Sequence, residues 1–271
     1  MKASLTKPMN NTFIRTAFAA AALASATIFG NIAASQANPT AVPISEAVEV
    51  AVGETIEVTV TIENLSPDQG TILTPLWVGF HEGEYDLYEP GLAASDGLES
   101  IAEDGSPMLL SEAFNSGGTG RVDGVITGDG ISPDSPPLIG PNSSATLTFN
   151  VDPSNPYFSY ASMILPSNDG FIGNESGTAY RLFDANGDFI GADFVVIGSQ
   201  IQDAGTEVND EIAENVPVLG QMAPNTGVDE NGVVMNHEGF IAGGDVLSAF
   251  PNADFEQELY PVARIRVETA Q

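Results

Sequence analysis

Two short acidic stretches hold the residues best placed for chemistry. PSNDGFIG (166–173) follows the apolar run SYASMIL, and QDAGTE (202–207) comes later in the chain. Asp169 and Asp203 are carboxylates in loops of the kind that can share a hard cation. Calcium takes roughly six to eight oxygens, drawn from carboxylates, amides, backbone carbonyls and water. Asn150, Asn168 and Glu207 are further oxygen donors within reach of such an arrangement. The same residue types also build ordinary turns, with side chains bonded to the local backbone. On chemistry alone both readings stay open.

Other constellations lead to plainer readings. FDANGDFIGAD (183–193) approaches a calcium-binding EF-hand loop, but its Gly falls one place early and no Glu closes it. Asn186-Gly187 between two apolar runs is instead a hairpin signal. His81 and His237 each precede Glu-Gly, and neither has a partner at zinc-binding spacing. They read as satisfied or exposed loop histidines. No GxSxG elbow is present, and the Gly clusters lack the setting and lysine of a phosphate loop. Trp77 reads as core or strand-face packing.

The elements that must position these loops are strands. TIEVTVTIE (55–63) sets Ile56, Val58, Val60 and Ile62 on one face. SATLTFNV (144–151) points Ala145, Leu147, Phe149 and Val151 inward, with Asn150 on the polar face. PVARIRVE (261–268) sets Ala263, Ile265 and Val267 against Arg264, Arg266 and Glu268. Alternation with period two marks half-buried antiparallel strands. Shorter candidates are TPLWVGF (74–80), GRVDGVI (120–126), YFSYASMIL (157–165), TAYRLF (178–183) and FIGADFVVI (189–197). Helical signal is confined to SDGLESIAEDG (95–105), with a Ser cap and a closing Gly, and to a short helix expected from about Val208. The fold class is therefore all-β, an antiparallel β-sandwich with one or two short helices.

Composition narrows the function classes. Residues 1–37 carry Lys2, Lys7, Arg15 and no acid, then an apolar run closed by small residues, the pattern of a secretory signal cut after Ala37. Residues 38–271 are expected to form one exported domain, with no membrane span. That part holds all 37 acids against four arginines, a net charge of −33. Such a charge repels phosphate backbones and anionic membrane surfaces, which excludes nucleic-acid binding. It suits either cation binding or salty surroundings, where screening relieves self-repulsion. With no cysteine, a hydrophobic core rather than disulfides must carry stability.

The order of motifs then becomes specific: VTVTIENL, EPGLAASDGLESIAEDG, a strand into PSNDGFIG, DAGTE, and a terminal PVARIRV. Over roughly residues 54–268 the chain resembles the spondin N-terminal domain family. The resemblance implies a sandwich of C2-like topology holding a divalent cation, usually calcium, at one end. Its animal members are secreted matrix and adhesion proteins. It implies Asp169 and Asp203 as metal ligands and, by ungapped alignment, Asn150 in place of a third acid. An amide there brings an oxygen but no charge.

The expected function is an exported, non-catalytic calcium-binding module for adhesion or partner binding, with metal residues Asp169, Asp203, Asn150 and Glu207. Calcium or another hard divalent cation is its expected cofactor. An extracellular protein or glycan is its expected partner, and a monomer its expected state, secreted or periplasmic. The alternatives are a secreted hydrolase of polysaccharide or protein, and a structural coat component.

Overall fold

The computed structural model describes residues 54–132 and 135–270. The expected signal segment lies outside them. Twelve strands and three helices follow in order: β1 (Ile56–Asn64), β2 (Ile72–Leu73), β3 (Leu76–His81), α1 (Asp96–Asp104), α2 (Met108–Ser116), β4 (Val122–Ile126), β5 (Ser144–Val151), β6 (Tyr157–Leu165), β7 (Gly170–Gly173), β8 (Tyr180–Arg181), β9 (Ala192–Ile197), β10 (Gln202–Asp203), β11 (Met235–Asn236), α3 (Asp245–Ala249) and β12 (Pro261–Thr269). They form an all-β sandwich.

One sheet has the order β5-β1-β12-β9. The other runs β11-β10-β7-β6-β3-β4, with β2 and β8 also pairing β6. All pairings are antiparallel. The alternating strands behave as their pattern requires. Val58, Val60 and Ile62 of β1 and Ala263, Ile265 and Val267 of β12 are fully buried between the sheets, while Arg264 and Arg266 turn outward to Asp193 and Glu63. Leu147 is the exception. It lies 39% exposed because β5 is an edge strand, where Gly124 of β4 offers no side chain to cover it.

β3 and β6 are buried along both faces, so they show continuous apolar runs instead of alternation. The second cover comes from α1 and α2. Leu98 and Ile101 of α1 and Leu110 and Phe114 of α2 share a cluster with Trp77, Ala161 and Phe171. Trp77 is fully buried there, edge-on to Phe114 with centroids 5.1 Å apart, and its Nε1 donates to Asp123 Oδ2 at 3.1 Å.

The helix expected at 95–105 forms as read. Ser95 Oγ accepts from Leu98 N–H, and Gly105 closes the helix in the left-handed region with φ 62°. The helix expected near Val208 does not form. Only a three-residue turn of 3-10 helix, Ala213–Asn215, is present, because the Asp210 carboxylate accepts from Ile212 N–H in a local turn and the Glu211 carboxylate from Ile241 and Val246 N–H instead. The Asn186-Gly187 turn forms, with Gly187 at φ 90° and Phe183 bridged to Phe189. Its flanking strands then diverge, β8 to β6 in one sheet and β9 to β12 in the other.

Candidate metal centre

The two acidic stretches meet through strand pairing. Pro166, Ser167 and Asn168 turn the chain out of β6. Ser167 Oγ donates to Ile164 O and accepts from Gly170 N–H at 2.9 Å, closing the turn and fixing Asp169 at its tip. β7 then pairs β10, with Gly170 opposite Asp203 and Phe171 opposite Gln202. The backbone N–H of Ala204 donates to Asp169 O at 3.2 Å. Residues remote in sequence thus lie side by side.

The loop after β10 folds around Asp169. Its Oδ2 accepts from the backbone N–H of Thr206 at 2.8 Å, from the Thr206 hydroxyl at 3.2 Å and from Glu207 N–H at 3.1 Å. Gly205 makes this wrap possible. It sits at φ 68°, and a Cβ there would lie 2.5 Å from the backbone nitrogen of Val233. Asp203 holds the loop from its other side, accepting from Gly205 N–H at 2.7 Å and from Asn209 Nδ2 at 2.5 Å.

What remains is an unsatisfied carboxylate oxygen. Asp169 has no exposed surface, and its Oδ1 is buried with no hydrogen-bond partner. Burial pushes the Asp169 carboxyl up to about 7, and the neighbouring Asp203 charge adds to the rise against the pull of the Thr206 and Glu207 donors. A buried carboxylate beside a second one, with a free oxygen, is the electrostatic complement of a cation. Among the described residues no three His, Asp or Glu side chains group closely enough to hold a metal ion by themselves. A cation here would therefore draw on two carboxylates and complete its shell from amides, carbonyls or water, a donor set that suits calcium.

Glu207 belongs to the same pole but faces a different wall. Its Oε1 accepts from Gly227 N–H at 3.0 Å, while Oε2 is buried without a partner. Burial raises its pKa, and Asp104 and Asp210 add to that, against the Gly227 and Asn168 hydrogen bonds. Asn168 is buried, and its Nδ2 donates to Asn215 O at 3.4 Å. Asn150 is set apart. It lies exposed on the outer face of β5, opposite Glu57, in the other sheet from Asp169 and Asp203. The polar face that freed its side chain in the sequence pattern is the solvent face of the sandwich, so the structure does not gather it with the two acids.

Two residues of this pole escape a linear reading. Glu103, near the end of α1, is 5% exposed, with no cationic partner among the described residues. Burial pushes its carboxyl up to about 7, and the charges of Glu207, Glu99 and Asp104 act in the same direction. The neighbouring Thr206 hydroxyl opposes that rise. His237 follows β11, the strand paired to β10. It is buried edge-on to Phe240 and Phe255, its Nδ1 accepts from Gly239 N–H at 3.0 Å, and its Nε2 has no partner. Burial lowers its pKa against the raising effect of Asp203. Glu103 sits in the EPGLAASDGLESIAEDG stretch as a helix residue and His237 in a loop, and only the fold brings them here. The other histidine is a satisfied core residue. His81 is fully buried, bonds Ser159 Oγ through Nε2 at 2.9 Å and accepts Gly83 N–H at Nδ1, and burial lowers its pKa to about 4.

Comparison with known proteins identifies the family. The Spondin_N family model matches residues 65–214, more than half the chain and inclusive of both acidic loops. Spondin-1 of Xenopus laevis is 37% identical over 95 residues, which cover 35% of this chain and 12% of that relative's length. The similar stretch is thus a small part of a much longer protein.

Proposed function

Since the chain belongs to the spondin N-terminal domain family, we propose that it is an exported, non-catalytic β-sandwich module that binds calcium or another hard divalent cation and engages an extracellular protein or glycan. The observation that carries this reading is the fully buried Asp169 carboxylate, with one oxygen unpartnered beside Asp203. In this reading Asp169 and Asp203 hold the cation and Glu207 adds negative charge to the pole. The ion offsets the repulsion between two buried carboxylates and ties the loop at 202–209 to the turn at 166–170. It stabilises the fold by mass action in proportion to its free concentration.

Several features support the rest of the proposal. Among the described residues no helix is long and apolar enough to cross a membrane. The residues before 38 read as an export signal. His81 is sealed in the core and hydrogen-bonded, which removes it as a general base.

The test is thermal melting with EDTA and with calcium, for wild type and Asp169→Asn. Asparagine keeps an oxygen for the Thr206 and Glu207 donors and replaces the free, charged oxygen by an amide nitrogen that cannot ligate a cation. A calcium-dependent rise in Tm for wild type that vanishes in Asp169→Asn is the expected result. Equal shifts in both proteins would remove Asp169 from the site. Turnover on a panel of glycans and peptides that stops with EDTA would replace the module by an enzyme.

A further inference from the structure

Beside the acidic pole, and sharing Asp104 with it, an open cleft of about 550 Å³ is lined by Pro75, Leu138, Met163, Leu165, Pro217 and Met222, among others. Its floor is Leu138, Met163 and Leu165 of a satellite apolar cluster, and its walls are the loops at 136–138 and 217–224. None of the Asp169, Asp203 or Glu207 side chains lines it.

Three independent features mark the cleft. The amide nitrogen of Gln221 is buried on its wall with no hydrogen-bond partner, although an orphaned donor of this kind is costly. Val218, on the same loop, has φ 62°, a left-handed conformation that a β-branched side chain adopts only when its surroundings impose it. Val216, two residues before it, is fully buried and its carbonyl accepts from Leu219, Gly220 and Gln221 N–H, which anchors the loop in that shape. At the rim Met222 is 95% exposed and Val218 is 41% exposed, an apolar edge that stands open among the described residues.

Charge selects the occupant. Asp104 lines the cleft, and none of its lining residues is a cation. The four arginines of the described residues are all engaged elsewhere: Arg121 with Glu82, Arg264 with Asp193, Arg266 with Glu63, and Arg181 with Asp184 O and the Tyr157 ring. The field around the cleft is that of a strongly acidic chain.

We infer that this cleft is a docking site for a basic polypeptide segment, which seats one aliphatic or aromatic side chain on the proline-lined floor, gives a carbonyl oxygen to Gln221 Nε2 and sets a lysine or arginine beside Asp104. Apolar burial supplies the affinity, and the single buried donor fixes the register of the segment. This goes beyond the cation reading and does not rest on it.

The experiment is fluorescence anisotropy with the full chain, in EDTA so that a missing cation site leaves it readable. The probe is a fluorescein-labelled peptide of lysines around a central Phe-Leu pair, and its control replaces that pair by Gly-Ser at the same charge. Wild type binds the Phe-Leu peptide about tenfold more tightly than the control, the value of one buried apolar anchor. Ala223→Trp, at an exposed lining position, fills the cleft and abolishes that difference, and Gln221→Leu reduces it several-fold, with melting curves unchanged. Equal binding of both peptides to wild type, or an unchanged preference in Ala223→Trp, would overturn the inference. So would a concentration-dependent dimer lost in Ala223→Trp, which would make a second copy the occupant.

Discussion

Thr206 donates its backbone N–H and its hydroxyl to the same oxygen of Asp169, at 2.8 and 3.2 Å, and leaves the other carboxylate oxygen bare in the protein interior. This asymmetry organises the acidic pole. One oxygen is a structural acceptor that holds the DAGTE loop against the turn before β7. The other is available to a ligand.

The pH dependence of stability follows from that burial. The Asp169 carboxyl rises from an ordinary 3.8 to about 7, and that of Glu103 from 4.5 to about 7. The folded protein holds both protons more tightly than the unfolded chain, so the stability they contribute is full below about pH 4 and is lost as pH rises through about 7. In EDTA the urea midpoint should therefore fall between about pH 5 and pH 8. Calcium, by taking the place of the Asp169 proton, should flatten the upper part of that fall. A midpoint that rises with pH in EDTA would contradict the buried protonated carboxyls.

Glu207 can be tested through its neighbour. A Cβ at Gly227 would lie 2.1 Å from Glu207 Cδ, so Gly227→Ala must push that carboxylate from its wall. The carboxylate is the mobile end of its side chain, so the substitution should cost only about 1 kcal/mol, the value of the displaced hydrogen bond from Gly227 N–H. By calorimetric titration it should weaken calcium binding to the same extent as Glu207→Gln, and both by less than Asp203→Asn. Unchanged affinity in both variants would remove Glu207 from the cation's surroundings.

Arg121 joins the loop after β3 to the start of β4. Its side chain is 4% exposed, paired with Glu82 through two nitrogens, with the guanidinium 5.1 Å from the Phe114 ring centroid and 5.6 Å from that of Tyr85. Arg121→Met should cost about 2–4 kcal/mol at neutral pH, seen as a drop in Tm on the order of 5–10 °C. The Arg121 hydrogen bond lowers the Glu82 carboxyl from 4.5 to about 2. The stability this pair adds is present above about pH 4.5 and is lost as pH falls through about 2, so variant and wild type should converge in acid. A constant gap down to about pH 2 would show that packing, not the ion pair, sets the loss.

The strands that alternate strictly, β1, β5 and β12, and the helix between Ser95 and Gly105 were legible because their signals are local. One face is apolar, or one cap closes each end. Helix α2 was not. Pro107 offers no side-chain cap, and its two buried residues, Leu110 and Phe114, gain their meaning only against Trp77. Strands β7, β10 and β11, of two to four residues, carry too few positions to show a period and exist through their pairings.

From its residues alone this chain determined an acidic, disulfide-free β-sandwich and the identity of two loop carboxylates, since charge, cysteine count and period-two patterning are sums over nearby positions. The tertiary structure alone decided which oxygens share a pole. Pairing of Gly170 with Asp203 brings Asp169 beside Asp203 and draws in Glu103 and His237, while the outward pleat of β5 carries Asn150 to solvent. Burial and proximity are properties of the packed sheets, and no single segment of the chain contains them.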